Sequence, residues 1–463
     1  MEKTKQPFRP YSPDQPYLLP PNPRDWLGDD DLVFFVMDVV QQLDLGPILR
    51  KYDGSRGGRP PYDPTLMTTL LFYAYCVGVF SSRKIEQATY ERIPFRVLAA
   101  NQQPDHDTIA DFRKRHLREL SGFFVDVLLL CQKAGLVKLG HVSIDGTKVR
   151  ANASKHKAMS YGRMEKKAEE LEKEVKRLLG EAERVDQEED DLYGKGCRGD
   201  QLPEELRTRK GRLKKIKEAM AELEQEAKAK AEQKRKEQRE KEVKAQKEGK
   251  KRRGRKPKEP SDKPLAKAQR NFTDPDSRIM KDGSSKAFVQ AYNCQVVSDQ
   301  NAQVIVASAV TQEPNDKQQI VPVVEKLKDN LGGTVPKKLS GDSGYYSQAN
   351  TDFLVEAGID PYLATGRQKH STAPQPPPRG RIPANLTPKE RMSRKLRTKK
   401  GKSVYKERKQ IVEPVFGQTK EARGFRQFLL RGLENVQAEW DLVCLTHNLL
   451  KLFRSGKAGW AFG

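Results

Sequence analysis

One change of pattern limits the possible folds of this chain more than any other feature. Residues 136–150 (LVKLGHVSIDGTKVR) alternate apolar and polar side chains, which predicts a half-buried β-strand. After this strand the apolar residues recur at spacings of three and four, the repeat of a long helix, and strand patterns resume only near residue 287. A sheet whose first strand is followed by so long a helical insertion is compatible with few α/β topologies.

The insertion, assigned to residues 160–262, has the pattern of an antiparallel helical hairpin. Two heptad-like arms flank a polar turn that contains glycine (EEDDLYGKGCRGDQLP). The second arm loses its apolar seam after Ala227, where we expect a frayed helix followed by a disordered basic stretch. The seam consists of Met164, Ala168, Leu171, Val175 and Leu178 in the first arm, and of Leu206, Leu213, Ile216, Met220, Leu223 and Ala227 in the second.

The patterns beyond the insertion run strand, strand, helix, strand, helix, strand, helix. Together with the strand before the insertion, this order predicts one α/β domain over residues 133–455. A basic, Pro-rich segment within it, residues 367–404, is predicted to be a loop. Helical patterns then cover KERKQIVEPVFGQTKEARGFRQFLLRG and a final amphipathic segment.

The N-terminal region divides into two parts. Residues 1–30 are rich in proline and are predicted to be extended. Residues 31–132 alternate helical patterns with short turns, and Asp63, Ser81 and Asp105 carry helix-start signals. This predicts an all-helical module of helix-turn-helix type, which either binds DNA ends or braces the following domain. DNA binding is favoured by the basic residues Arg56, Arg59, Arg83, Lys84, Arg113, Lys114 and Arg115.

The charge of the chain restricts its partners. The formal net charge is +24 over 463 residues, so we expect a polyanionic partner, of which DNA is the most obvious. No apolar stretch approaches the ~20 residues that span a bilayer, and the N-terminus lacks the apolar segment of a secretory signal. The five cysteines form no CxxC pair, which argues against a zinc site or a disulfide framework. These features predict a cytoplasmic protein with no membrane partner.

Three acidic residues lie in settings where a plain surface charge is not expected. Asp145 lies in the apolar run of the first strand, Asp342 follows a short strand in KKLSGDSGYYS, and Glu413 lies among apolar residues of a helical segment (IVEPVFG). Two Asp from neighbouring strands and a Glu from a helix can converge on two divalent metal ions, the arrangement that performs in-line displacement at phosphorus. Hard cations bind oxygen ligands, so neither His nor Cys is required.

The strand positions suggest a role for each acid. We expect Asp145, on the first strand, to bridge both metal ions. Asp342 would then hold the ion that activates water or a 3′-hydroxyl, and Glu413 the ion at the leaving group, or these two roles are exchanged. Two Mg²⁺ ions are expected, with Mn²⁺ as a substitute. Lys148 and Arg150, just past Asp145, are placed to contact flanking phosphates.

Four segments of the chain resemble the bacterial insertion-sequence transposases of the DDE class. They are IDGTKVRANASKHKAMSY, GDSGYYS, IVEPVFGQTK and the C-terminal run that begins at GFRQFLLRG and ends at HNLLKL. The chain is most similar to the group in which a helical module precedes the catalytic domain, over about residues 30–455. The resemblance implies an RNase H-like mixed sheet, interrupted by the hairpin and preceded by the all-helical module. It also places the three metal-binding acids on Asp145, Asp342 and Glu413.

Some of these transposases carry a Tyr-x2-Arg-x3-Glu-x6-Lys signature, whose Tyr and basic residues grip phosphates near the cleaved end. Glu413 and Lys420 match its second half, although residues seven apart share a face in any helix. Tyr405 and Arg408 keep their mutual spacing, but four residues rather than three separate Arg408 from Glu413, and Lys409 has the offset of the signature. The resemblance therefore implies DNA contacts by Tyr405, Arg408 and Lys420.

The activity that the resemblance implies is DNA transposition. Metal-dependent cleavage at the ends of an insertion sequence would free a 3′-hydroxyl, and strand transfer would join it to target DNA. The implied partners are terminal inverted repeats, target DNA and a second copy of the chain in a homodimeric, nucleoid-associated complex. Two alternatives stay open at this point. A nuclease of the same fold would cut without joining, and an inactive relative would bind DNA as an architectural protein.

Overall fold

The N-terminal part of the molecule is all-helical, as the sequence predicts. The computed structural model describes residues 22–52, 60–193, 204–247, 259–283, 285–366, 376–378, 380–383 and 385–457. The N-terminal helices are α1 (Leu32–Gln42), α2 (Gly46–Leu49), α3 (Pro64–Cys76), α4 (Ser82–Glu91), α5 (Ile93–Leu98), α6 (His106–Arg115) and α7 (Leu117–Lys133). A single 3₁₀ turn at Pro23–Trp26 precedes them, within the segment that was predicted to be extended. Residues 1–21 of that segment lie outside the described residues.

Aspartates begin three of these helices because their side chains accept hydrogen bonds from N–H groups of the first turn. Asp31 accepts from Val33 (2.8 Å), Asp63 from Thr65 (2.6 Å) and Asp105 from Thr108 (2.8 Å). The helix starts predicted at Asp63 and Asp105 are therefore confirmed. Ser81 precedes α4 as predicted, but its side chain makes no capping hydrogen bond.

A mixed six-stranded sheet forms the centre of the α/β domain. The strands of the described chain are β1 (Val142–Arg150), β2 (Ala158–Ser160), β3 (Gln269–Asn271), β4 (Arg278–Lys281), β5 (Phe288–Asp299), β6 (Ile305–Thr311), β7 (Lys338–Gly341) and β8 (Asp360–Leu363). The sheet order is β5–β1–β7–β8, with β4 and β6 both paired to β5, while β2 and β3 form a separate pair. The β6–β5–β1 part is antiparallel and β1–β7–β8 is parallel, which is the RNase H-like topology. The predicted fold class is confirmed.

The helical hairpin predicted after the first strand is also present. Its arms are α8 (Tyr161–Tyr193) and α9 (Glu204–Lys247), which pack through a small apolar core of their own. Helix α9 continues past Ala227, where the sequence predicts fraying, because its Lys, Glu, Gln and Ala residues favour helix and Arg235 pairs with Asp262 (3.0 Å). Residues 248–258, in the basic stretch that the sequence predicts to be disordered, lie outside the described residues.

Five further helices complete the described part of the chain. They are α10 (Ile320–Asn330), α11 (Gln348–Glu356), α12 (Pro388–Arg397), α13 (Lys399–Gly417) and α14 (Leu433–Arg454), with a π-helical turn at Gln418–Ala422. None of the helices in the described ranges is both long and apolar enough to span a bilayer.

Two segments of this region differ from the sequence prediction. The second half of the segment 367–404 is helical rather than a loop, because Thr387 and Glu390 form a capping box that begins α12. The segment GFRQFLLRG is not helical. Gly424 adopts a φ of +75°, and the N–H of Phe428 then donates to the carbonyl of Arg150 at the end of β1 (2.9 Å).

Helix α14 joins the N-terminal helices to the sheet. It packs against α3 and α7 on one side and against β6 on the other. Leu70 of α3, Ile144 of β1 and Trp440 of α14 belong to one continuous hydrophobic core. The helical module therefore braces the α/β domain, while its binding to DNA stays a prediction.

Candidate active site

The register of two neighbouring strands brings Asp145 and Asp342 together. Strands β1 and β7 are parallel with Ser143 opposite Ser340, and each aspartate follows its serine by two residues. Asp145 lies on β1, whereas Asp342 lies just past the end of β7, where its Oδ1 accepts a hydrogen bond from the N–H of Gly344 (2.8 Å). Both side chains are half-buried. The two strand-borne acids thus lie at the same edge of the sheet.

The carboxyl group of Asp145 has an unusual affinity for protons. Burial raises its pKa to about 6. A hydrogen bond from the N–H of Gly146 (2.8 Å) and the guanidinium of Arg408 lower the pKa, while the carboxylates of Asp342 and Asp316 raise it again. A further cation at this position would favour the charged form of Asp145.

Glu413, the third predicted acid, is linked to Asp145 by one arginine. Arg408 Nη1 donates to Asp145 Oδ2 (3.2 Å), and Arg408 Nη2 lies 3.8 Å from Glu413 Oε1. The ring of Tyr405 lies 5.8 Å from the guanidinium carbon. Arg408 is only 11% exposed, and its buried Nε makes no hydrogen bond within the described chain. The guanidinium therefore pairs two of the acids and keeps one donor unused.

An irregular helix end positions the residues that follow Glu413. Pro414 has no N–H to bond the carbonyl of Gln410, and Gln303 Nε2 donates to that carbonyl instead (2.8 Å). The π-helical turn then replaces the α-helix, a local change that is frequent at functional sites. Lys420 lies in this turn and not on α13, and its Nζ donates to the carbonyl of Lys148 on β1 (2.7 Å).

The three acids suit a hard divalent cation by their chemistry, because all supply carboxylate oxygens. Nevertheless, no three acidic, His or Cys side chains of the described residues are arranged as a metal site. The guanidinium of Arg408 lies between Asp145 and Glu413 and supplies a positive charge there. Binding of one ion by both acids therefore requires Arg408 to move, and their role as metal ligands stays a prediction.

Comparison with protein families agrees with the resemblance that the motifs carry. One family model, described as a transposase domain (DUF772), matches residues 23–115, and another, described as a transposase DDE domain, matches residues 381–453. Both models describe transposases, and together with the motifs they support an insertion-sequence transposase of the DDE class. No curated protein and no solved structure shows significant similarity to it. Of the three predicted acids, only Glu413 lies within a matched range of this transposase.

A basic cleft of about 350 Å³ lies beside Asp145 of the transposase. It opens between β1, the turn that follows β4, and the π-helical turn. Three predicted DNA contacts, Lys148, Arg150 and Lys420, come together in its lining. Lys281 and Arg426 also line the cleft, and no sequence pattern singled them out. Tyr405 and Arg408 lie instead among the acids.

The basic residues of the N-terminal module do not all point outward. Arg113 is buried, and its Nη1 donates to the carbonyl of Phe80 (2.9 Å) and the hydroxyl of Tyr75 (3.3 Å). It is therefore a structural residue and not a DNA contact, contrary to its place among the predicted basic contacts. Arg83, Lys84, Lys114 and Arg115 are exposed, and Arg56 and Arg59 lie outside the described residues.

Sequence reasoning missed one acid of the site. Asp316 begins a short 3₁₀ turn, Asp316–Gln318, between β6 and α10. Its Oδ1 accepts hydrogen bonds from Asn293 and Gln295 of β5 and lies 3.5 Å from Lys148 Nζ. The available signal was an aspartate between a strand pattern and a helix pattern. That signal is shared with helix caps, so it could not identify a site residue by itself.

Proposed function

We propose that this transposase cleaves DNA at the ends of an insertion sequence and transfers the freed 3′-hydroxyl to target DNA. The observation that carries the proposal is that Asp145 and Asp342 lie at one edge of the RNase H-like sheet, with Glu413 linked to Asp145 through Arg408 and a basic cleft beside them. Carboxylates next to a cationic cleft suit displacement at a phosphodiester, because the cleft binds the polyanion and the acids bind divalent cations.

Asp145, Asp342 and Glu413 would hold two Mg²⁺ ions, for which Mn²⁺ can substitute. When bound, such ions activate the attacking oxygen and stabilise the leaving oxygen. Asp145 is the acid best placed to contact both ions, since it lies beside Asp342 and shares Arg408 with Glu413.

The basic residues would hold the DNA strand around these acids. Lys148, Arg150 and Lys420 in the cleft would contact phosphates on one side of the cleaved bond. Arg408 would turn from the carboxylates to a phosphate oxygen, which would accept a hydrogen bond from its buried Nε. Tyr405 would pack against the same DNA strand.

The proposed partners are the terminal inverted repeats of the element, its target DNA and a second copy of the chain. The exposed residues Arg83, Lys84, Lys114 and Arg115 of the N-terminal module would contact the element end. We place the complex on the nucleoid in the cytoplasm, where its substrate is found.

The test supplies a pre-cleaved element end with a free 3′-hydroxyl, a plasmid target and Mg²⁺ or Mn²⁺. Inverted repeats in the DNA that flanks the coding region define the substrate. We expect joined products from the wild type. We expect no cleavage and no joining from Asp145→Asn, Asp342→Asn and Glu413→Gln, with DNA affinity kept within about threefold because the acids are not DNA contacts. Asp329→Asn, on the exposed face of α10, is the matched control.

Each other outcome has a distinct meaning. Cleavage without joining under any condition would favour a nuclease of this fold. DNA binding with neither reaction would favour an architectural protein. Near wild-type cleavage by one of the acid variants would show that this residue is not a metal ligand.

A further inference from the structure

We propose that Asp316 is a positioning residue, which holds the ammonium group of Lys148 at the basic cleft beside Asp145. This inference rests on the proposed function, in which Lys148 contacts a DNA phosphate. Asp316 would be a fourth carboxylate of the site, and it would act through a lysine and not on the reacting atoms.

Asp316 is held by two amide donors of one strand, β5. Its Oδ1 accepts hydrogen bonds from Asn293 Nδ2 (2.7 Å) and Gln295 Nε2 (2.8 Å), and Lys148 Nζ lies 3.5 Å away. The pairing of β1 with β5 sets this arrangement, because Lys148 lies opposite Asn293. The ammonium therefore meets a carboxylate whose orientation is already determined by two amide side chains.

The same network reaches the turn that carries Asp342. Gln295 accepts a hydrogen bond from the hydroxyl of Tyr345, which is buried three residues after Asp342. Gln295 also donates to Asn293 Oδ1 (3.0 Å). Movement of Asp316 would consequently disturb both Lys148 and the support of the Asp342 turn.

Two glycines, which lack a Cβ atom, leave space for the hydrogen-bond network around Asp316. A Cβ atom on Gly146 would overlap Gln295 Nε2 and lie 3.0 Å from Asp316 Oδ1. A Cβ atom on Gly344 would lie 3.5 Å from Asp316 Oδ2. Asp316 thus lies between the glycines that follow Asp145 and Asp342.

A structural role alone does not explain the charge of Asp316. The capping role at this turn belongs to Asn315, whose side chain accepts from the N–H of Lys317 (3.0 Å). A neutral asparagine could accept the same amide hydrogen bonds. The carboxylate instead adds a negative charge beside the glycines that follow Asp145 and Asp342, which is unfavourable unless a cation such as Lys148 pairs with it.

The geometry indicates that the charge of Asp316 serves to position Lys148. This lysine is only 16% exposed and lines the cleft, and Asp316 attracts its ammonium away from Asp145 and Asp342. Those two carboxylates then stay available to cations, while the ammonium stays where a phosphate can approach it.

The test is a double-mutant cycle of Asp316→Asn and Lys148→Gln, each measured for affinity to the element end over a range of salt concentrations and for cleavage rate. Lys148→Gln should weaken binding about tenfold. It should also reduce the salt slope, the steepness with which the logarithm of the affinity falls against the logarithm of the salt concentration, by about 0.9, the value of one phosphate contact. Asp316→Asn should weaken binding about three- to tenfold and lower the slope as well. The double variant should be within twofold of Lys148→Gln alone, because Asp316 acts through the lysine.

Further measurements distinguish a positioning role of Asp316 from a purely structural role. Asp316→Glu should recover part of the affinity, and the melting temperature of Asp316→Asn should match that of the control Asp329→Asn. Multiplicative effects in the double variant, or an unchanged salt slope for Asp316→Asn, would overturn the proposal. Affinity and salt slope are measured without catalysis. A wild-type protein that binds DNA but does not cleave it would therefore refute the proposed function, while the binding measurements would still test the role of Asp316.

Discussion

Arg408 balances the charges of the candidate site at the scale of single residues. Its guanidinium is nearly buried, and it contacts Asp145 and Glu413 at the same time. A buried cation between two carboxylates supplies the charge compensation that a divalent ion would also supply. If these acids hold a divalent ion as proposed, Arg408 would compete with that ion for the same oxygens in the DNA-free protein.

Replacement of Arg408 by glutamine should therefore tighten Mn²⁺ binding by the DNA-free transposase, by about three- to tenfold, because a competing cation is lost. Titration followed by electron paramagnetic resonance of Mn²⁺ measures this affinity without turnover. Lys409→Gln, at the exposed neighbouring position, serves as the control. An affinity that is unchanged or weaker in Arg408→Gln would contradict the competition.

Glu439 provides a residue-scale prediction about pH. It is buried in α14, and its oxygens accept hydrogen bonds from the N–H groups of Leu429 and Leu430 (3.0–3.1 Å). Burial raises its pKa to about 7, from an ordinary value of 4.5. Between these two pH values the folded chain binds more protons at this group than the unfolded chain does. Its contribution to stability is present below pH 4.5 and is lost as the pH rises through 7.

Glu439→Gln, which stays neutral, should therefore gain stability relative to the wild type as the pH rises from 5 to 8. The expected gain in the free energy of unfolding is on the order of 1–2 kcal/mol. Urea unfolding at pH 5, 6, 7 and 8 measures the difference. Glu434→Gln, 86% exposed near the start of the same helix, should show no such trend. A difference that does not vary with pH would count against the raised pKa.

At the scale of elements, the hairpin is held both by its own core and by ion pairs to the neighbouring strands. Leu171, Ile216 and Leu223 are buried between its arms. Arg270 of β3 pairs with Glu222 (2.6 Å) and Glu226 of α9. The seam that the sequence showed is thus satisfied within one chain, and pairing between two copies is not needed to bury it.

Leu223→Lys should disrupt the hairpin, because it places a charge in this small core at a cost of about 3 kcal/mol. Leu213→Lys should cost less, since Leu213 is only partly buried. Limited proteolysis and circular dichroism would report the loss of helix, while the main melting transition changes little. Gln225→Lys, at an exposed position of α9, is the control. Proteolysis at the wild-type rate would show that the seam does not stabilise the hairpin.

At the scale of the whole molecule, the N-terminal helices and the α/β domain fold around one core. Helix α14 is the shared element, with α3 and α7 on one face and β6 on the other. Removal of the N-terminal helices would expose a large apolar face of α14, and the resulting loss of burial would exceed the marginal stability of a domain.

A fragment comprising residues 133–463 should therefore fail to fold. Its near-ultraviolet circular dichroism should lack tertiary signal, and it should show no cooperative melting transition. Cooperative melting close to that of the intact protein would show that the module is a separate domain. The DNA-binding role of the module is consequently best tested with substitutions of Arg83, Lys84, Lys114 and Arg115, which leave the core intact.

The sequence alone determined the features that depend on local pattern. Alternation predicted the long strand β1, a strand pattern predicted β5, and heptad spacing predicted the hairpin. Asp63 and Asp105 marked helix starts. Each of these signals comes from residues close together in the sequence. Asp145, Asp342 and Glu413 could be chosen because a charge among apolar residues, or at the end of a strand, is a local anomaly. Their assignment as metal ligands rests on the resemblance, and the proposed experiments test it.

Only the tertiary structure decided the features that depend on distant partners. The segment around Phe428 has a helical pattern but is not helical, since its N–H pairs with Arg150 of β1. Arg113 is basic in sequence but buried, because the carbonyl of Phe80 and the hydroxyl of Tyr75 accept its hydrogen bonds. The place of Asp316 at the site depends on the amide donors of Asn293 and Gln295 in β5. Contacts between residues far apart in sequence are set by packing and strand register, which no local pattern encodes.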